Sequence, residues 1–238
     1  GILVNLALAT VVALAAEAAV LKLRRRPLMP TLGDLSAVVT AWLMVLCFPP
    51  IAPWWMTVMG TLIAIVAVKH LYGGLGQNPF NPAMVAYCVM IVAYPSLMSQ
   101  WPAAGELSFS AQLDLILGGV RDIDAVTGAT VLDTLRTGLR AADATVAEVM
   151  QREAFGLLGG RGWEWLGLGY LAGGLWLLQQ RVITWHMPVA FLGALALVAA
   201  AFWAHEPTRF ADPLFHVVSG GALLAAFFIV TDPVSGAT

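Results

Sequence analysis

Polar residues in this chain gather into a few clusters, separated by apolar runs about 14–23 residues long, the longest of them enough for an α-helix to cross a bilayer. The pattern predicts seven spans: Ile2–Leu23, 35–48, 54–68, 83–98, 163–178, 182–204 and 214–230. Asp34 or Ser36 is placed to cap the second span, and Pro49, Pro50 and Pro53 stiffen the turn before Trp54 and Trp55. Between the fourth and fifth spans, residues 101–162 form one long mixed segment, with short amphipathic helices expected at 109–117 and within 131–150. The organisation read from this is a first membrane bundle at 1–100, an external loop at 101–162 and a second bundle at 163–238.

Composition agrees with that reading. Of 238 residues, 60% are hydrophobic and 11% charged, with a mean hydropathy of +0.82; soluble domains carry about 25% charged residues. The fold class is therefore all-α, a polytopic helical membrane protein. A net charge of −2 offers no basic surface for nucleic acid. Cys47 and Cys88 sit in apolar runs without metal spacing and are expected to be buried. His70, His186, His205 and His216 show no ligand spacing, so no metal site is expected. The first residue is not Met and apolar runs lie close to both ends, which suggests further chain on either side.

Charge sets the expected topology. Lys22, Arg24, Arg25 and Arg26 crowd the first loop, which places it in the cytoplasm. Glu17, within the first span, is expected to pair with Lys22 or Arg24. Lys69 and His70 end the third span on the same side and are candidates to hold a ligand there. The long segment carries eight Asp/Glu and five Arg, and long loops escape the charge rule, so an external location stands.

Two stretches break the apolar pattern in ways that suggest chemistry. Residues 69–84 hold Gly73, Gly74 and Gly76 and the Asn78-Pro79 and Asn81-Pro82 steps, which no helix continues through. Asn81 is placed to cap a new helix with Pro82 at its first position. Broken or re-entrant helices at membrane depth line cavities or bind ligands. Ser219-Gly220-Gly221 and Asp232-Pro233 echo this pattern, so an internal repeat is expected. The second stretch is a polar island, in which Thr127-Gly128-Ala129-Thr130 offers hydroxyls with no bulky neighbour.

Taken together, residues 69–84, the run from Asp124 to Thr130, and residues 219–233 resemble the D subunits of the Rnf ion-translocating ferredoxin:NAD oxidoreductase. The B subunit of the sodium-pumping NADH:quinone oxidoreductase is their nearest cousin. The resemblance covers most of the chain and implies one or two more spans beyond each end. It implies FMN joined through its phosphate to the last Thr of D-x-x-[ST]-G-A-T, here Thr130, with Asp124, Thr127, Gly128 and Ala129 completing the motif. A flavin transferase outside the cytoplasmic membrane would supply FMN from FAD: the Thr hydroxyl displaces AMP and leaves a phosphoester. A second, non-covalent flavin (riboflavin) is also implied. Gly73, Gly74, Asn78, Asn81, Thr231 and Asp232 are the candidate positions for it or for an ion path. Partners would be the other Rnf subunits, including the second FMN-carrying subunit and the membrane subunits, together with the transferase and the lipid bilayer of a bacterial inner membrane.

The motif occurs twice, at Asp124–Thr130 and at Asp232–Thr238. Local chemistry does not choose between them. Counting spans from the basic loop puts Thr130 outside and Thr238 inside, and an external transferase reaches only Thr130. The rival readings are the sister quinone-reductase subunit, a channel or transporter built on broken helices without a covalent flavin, and a scaffold subunit in which TGAT is a surface turn.

Overall fold

The computed structural model describes residues 1–102, 107–118, 126–140 and 143–236. Among them the protein is helical with no strand, its only β-type pairings being isolated bridges between Pro102 and Thr127 and between Phe155 and Gly160. The chain forms two compact units, Gly1–Thr127 with Asp232–Thr238, and Gly128–Thr231.

In the first unit, α1 (Ile2–Leu23) has the bounds the apolar run predicts. The short α2 (Leu28–Gly33) follows the basic loop, and α3 (Ser36–Leu46) forms the second span. Neither Asp34 nor Ser36 is its cap. Leu35 takes that position in the left-handed region (φ 57°), while Asp34 accepts the Ser36 backbone N–H at 2.8 Å, just ahead of the first turn. The third span is α4 (Trp54–Leu62), which widens into a π-helical stretch, Ile63–His70. The fourth is α5 (Pro82–Ala93), with Asn81 accepting the Ala83 and Met84 N–H groups at 2.9 and 3.2 Å and Pro82 at the first helical position. That span is interrupted at Tyr94, because Pro95 disfavours helix in the residue before it; α6 (Pro95–Met98) completes the run.

Small residues let these helices approach closely. Ala9 and Ala13 on α1, and Ala37 and Ala41 on α3, each one helical turn apart, are fully buried in a single apolar cluster with Met44, Met56, Ile65 and Met90. Asn5 sits inside this core, fully satisfied. Its amide donates to the Pro50 and Ala52 carbonyls at 3.3 Å each and its carbonyl accepts from Thr57 at 2.9 Å. Cys88, expected in the core, is exposed, along an apolar groove on α5 formed by Phe80, Met84, Val85, Val89 and Val92.

The two ends of the first unit differ in character. One gathers the basic loop, Ser36, Lys69 and His70, with Arg26 donating to the Gly73 carbonyl at 3.4 Å. The other gathers Asn5, the proline turn and Trp55, whose ring packs edge-on against Tyr94 at 5.1 Å. Here Gly1 lies against Pro50 and against Gln112 of α7 (Phe109–Leu117), whose bounds match the sequence expectation. The long polar segment is thus entered from the end opposite the basic loop.

In the second unit, α8 (Val131–Gly138) and α9 (Val146–Val149) are the amphipathic helices expected within 131–150. Two long helices follow, α10 (Trp163–Gln179) and α11 (His186–His205). The second starts four residues later than the apolar pattern suggests, because Arg181 turns the chain through a positive φ of 56°. The last apolar run is broken: α12 (Pro213–Val218) ends at Ser219, Gly220 and Gly221 follow at φ 63° and 75°, and α13 (Ala222–Leu224) opens into a second π-helical stretch, Ala225–Ile229.

Among the described residues two helices, Ile2–Leu23 and His186–His205, are long and apolar enough to cross a membrane. α11 leaves Val189, Leu197, Val198, Phe202 and Trp203 exposed. A helix apolar on all sides needs a lipid or protein environment around it. Where α10 meets the second π-helical stretch, a Cβ added to Gly174 would lie 2.2 Å from the Phe227 ring. Gly174→Ala is therefore expected to destabilise the protein by about 1–3 kcal/mol through overpacking, seen as a lowered thermal midpoint in detergent. An unchanged midpoint would mean that the ring is free to move.

Candidate functional site

Thr130 stands at the first turn of α8, where the predicted chemistry needs a reachable hydroxyl. It is the N-cap residue of that eight-residue helix, and its Oγ1 accepts the Asp133 N–H at 3.3 Å. Ala129 before it is exposed, and Gly128 and Thr130 are half-buried. The Leu135 side of α8 is buried with Val146, Val149, Ala211 and Phe215, which anchors the helix while its N-terminal turn stays near the surface.

Glycines crowd the start of α8 within the same unit. A Cβ on Gly160 would lie 2.9 Å from Val131, and one on Gly220 would lie 2.6 Å from Leu132. Gly220 has positive φ as well, so it needs glycine on both counts. The neighbouring Ser219 has a hydroxyl that is buried without a hydrogen-bond partner, and a Cβ on Gly159 would lie 2.9 Å from it. An unpartnered buried hydroxyl costs about 1–3 kcal/mol. The sequence marked Ser219-Gly220-Gly221 as a helix break but held no sign that it lies against the helix Thr130 begins.

This donor set suits a phosphoester on Thr130. The free N–H groups of a helix's first turn and its dipole favour an anion there. Asp133 in the same turn adds a negative charge that such a group would have to accommodate.

The remaining motif residues are distributed differently. Thr127 belongs to the first unit, through its bridge to Pro102, and Gly128–Thr130 belong to the second. Asp124 lies outside the described residues, as does Thr238 of the second motif copy. In that copy Asp232 folds back on its own turn. Its carboxylate accepts the Ser235 N–H at 3.0 Å and the Ser235 hydroxyl, and its carbonyl accepts the Gly236 N–H at 2.8 Å. Thr231 donates to the Phe227 carbonyl at 2.7 Å.

The candidates at the Gly73 break serve the turn itself. Gly73 and Gly74 adopt φ of 123° and 111°, their N–H groups donating to the His70 and Lys69 carbonyls. Asn78 donates to the Phe80 carbonyl at 2.9 Å, and the Asn81 side chain is engaged as the α5 cap. Leu71, Tyr72, Leu75 and Phe80 of this turn are exposed.

Inside the first unit is a polar centre that the sequence suggested only in pieces. Glu17 does not pair with Lys22 or Arg24; Lys69 holds it instead, Nζ to Oε1 at 2.6 Å. The reason is helix phase: Glu17 faces the core whereas Lys22 and Arg24 are exposed. Lys69 Nζ also donates to Ser36 Oγ at 2.7 Å, and His70 Nε2 lies 3.3 Å from Glu17 Oε1. Glu17, Lys69 and His70 are all buried, and Glu17 Oε2 and His70 Nε2 have no hydrogen-bond partner. Lys69 and His70 are the last two residues of the π-helical stretch, a geometry that recurs at functional sites.

Over residues 1–238 the chain matches the family described as NQR2, RnfD, RnfE. Among curated proteins it is similar to the D subunit of the ion-translocating oxidoreductase complex of Vibrio vulnificus, 48% identical over 261 residues, covering all of this chain and 73% of that one. The protein of the same name from Alcanivorax borkumensis is 48% identical over 239 residues, covering all of this chain and 70% of its own length. The one from Escherichia coli is 45% identical over 255 residues, covering all of this chain and 72% of its own.

Proposed function

Given that this chain belongs to the NQR2, RnfD, RnfE family, we propose that it is the D-type membrane subunit of an ion-translocating oxidoreductase complex, bearing FMN as a phosphoester on Thr130. In this reading it relays electrons between ferredoxin and NAD along a chain of subunits, and it is not catalytic alone. The observation that carries the assignment is the position of Thr130: a hydroxyl at the N-terminus of α8, behind Gly128 and an exposed Ala129.

Each residue has a physical part. Gly128 and Ala129 leave the hydroxyl open to a transferase. Thr130 Oγ1 displaces AMP from FAD, so an O–P bond forms as the pyrophosphate linkage breaks and the hydroxyl proton leaves. The N–H groups at the start of α8 would hold the phosphate, which the helix dipole favours there. Gly160 and Gly220 keep side chains away from Val131 and Leu132 at the start of α8. When bound, the flavin supplies the electron-transfer chemistry, and the protein fixes its place and potential.

Peptide mapping tests the attachment. In protein co-expressed with an external flavin transferase, the tryptic peptide 122–136 is expected to gain the mass of FMN less one water, with fragmentation assigning it to Thr130. The same gain on the peptide that follows Arg209 would move the site to the second motif copy.

A further inference from the structure

The chain between α9 and α10 folds into a tight hairpin with an apolar tip. Phe155 and Gly160 pair as an antiparallel bridge, the Arg161 N–H donates to the Ala154 carbonyl at 3.0 Å, and the Gly156 N–H donates to the Gly159 carbonyl at 2.8 Å. Glu164, in the first turn of α10, clamps the tip: its Oε1 accepts the Leu158 and Gly159 N–H groups at 2.9 and 3.2 Å. The side chains this framework holds out are Leu157, 95% exposed, and Leu158, 46% exposed. We infer that the hairpin 154–161 is a lipid-insertion loop, whose Leu157–Leu158 tip enters the boundary layer of the phospholipid bilayer beside α10 and fixes the depth of the α8 helix it packs on.

Lipid is the occupant that the surroundings of the tip fit. As a bilayer span α10 is short: its 17 residues rise about 25 Å against a hydrocarbon core of about 30 Å. A short span draws its flanking residues to the lipid boundary, and the residues flanking its start are the hairpin. Trp165 and Trp176, both exposed, mark the two ends of α10 as an aromatic belt does, and Leu166, Leu168 and Leu175 are exposed between them. The tip therefore continues a lipid-facing apolar surface. Arg152 and Arg161 flank the tip, are exposed, and form no ion pair among the described residues, which leaves both guanidiniums for lipid phosphates. Against them the segment carries one exposed acid, Glu153.

The base of the hairpin is tied to the helix that Thr130 caps. Ala154 and Phe155 pack against the cluster of Val131, Leu135, Val146, Val149 and Phe215, with the Phe155 and Phe215 ring centroids 6.2 Å apart. A Cβ on Gly160 would lie 2.9 Å from Val131 and 3.2 Å from the Trp163 ring, so no gap separates the hairpin from the start of α8. A tip seated in lipid thus sets how far α8 stands from the bilayer. A turn that only joined two helices through water would favour Gly, Pro, Asn, Asp or Ser; here both central positions are leucine.

The insertion rests on the reading of this chain as a membrane subunit and needs no flavin. The test places an environment-sensitive fluorescent amino acid at position 157 by stop-codon suppression, in the intact complex in phospholipid nanodiscs. Nitroxide labels near the top or near the end of the acyl chains quench it from lipid, and iodide quenches it from water. Interfacial segments sit about 5–10 Å into the headgroup and acyl boundary, so the shallow label is expected to quench at least about twofold more than the deep one. Iodide quenching is expected to be well below that of the same fluorophore at position 153. Glu164→Ala is expected to raise iodide quenching at position 157, and Glu164→Gln, which keeps the accepting oxygen, to leave it low. Equal iodide quenching at 157 and 153 would overturn the insertion. Protection from iodide and from both lipid labels would overturn it too, by showing that a neighbouring subunit covers the tip. An unchanged signal in Glu164→Ala would overturn the clamp. In-gel flavin fluorescence is read on the same samples, and its absence with lipid quenching intact would count against the attachment at Thr130 alone.

Discussion

Lys69→Met is expected to destabilise the protein by about 3–5 kcal/mol, the usual result of removing one partner of a buried ion pair. Glu17 has no solvent exposure, and Lys69 supplies its one hydrogen bond at 2.6 Å. With the ammonium gone, a carboxylate stays in an apolar cluster, and nearby Ser36 loses its donor. The double variant Glu17→Gln/Lys69→Met should recover most of that loss, because exchanging a whole buried pair for neutral groups of similar size is close to neutral. Thermal unfolding of the detergent-purified protein reads both effects. Equal midpoints for the wild type and the single variant would show that water reaches Glu17 and that the core is not dry.

Local features of the fold were legible in the sequence, and long-range pairings were not. The α1 and α7 bounds follow from apolar periodicity and flanking polar residues. The Asn81-Pro82 cap and the Ser219–Gly221 break follow from what those residue types permit in a backbone. The break at Tyr94 was missed in the reading of 83–98 as one span, although Pro95 restricts the residue before it. The π-helical stretches carry no comparable signal. Their residues, such as Ile63, Ala64 and Ile65, are ordinary for an apolar helix.

The Glu17–Lys69 pair shows why tertiary context matters. Its partners are 52 residues apart, so no helical spacing relates them. One signal was present: each is an isolated charge in an apolar run, and span counting puts both toward the basic-loop end, where each needs a partner. For the attachment site, Thr130 could be named from its motif. The closeness of Ser219, Gly160 and Gly220 to α8 arises from a fold that brings together residues about 30 and 90 positions along the chain, where spacing rules such as i,i+4 have no reach.

The second large effect concerns Thr130 itself. Thr130→Val removes the hydroxyl while nearly keeping its shape, and it also removes the α8 cap, which costs about 1 kcal/mol. Thr130→Ser keeps both cap and nucleophile, so it separates lost chemistry from lost folding. Thr238→Val tests the other copy of the motif. The most direct measurement is in-gel flavin fluorescence after denaturing electrophoresis, with each form co-expressed with an external flavin transferase. A fluorescent band is expected in the wild type, Thr130→Ser and Thr238→Val, with none above background in Thr130→Val. A band that survives Thr130→Val and disappears in Thr238→Val would contradict both the attachment site and the topology, and no band in the wild type would contradict the covalent flavin altogether.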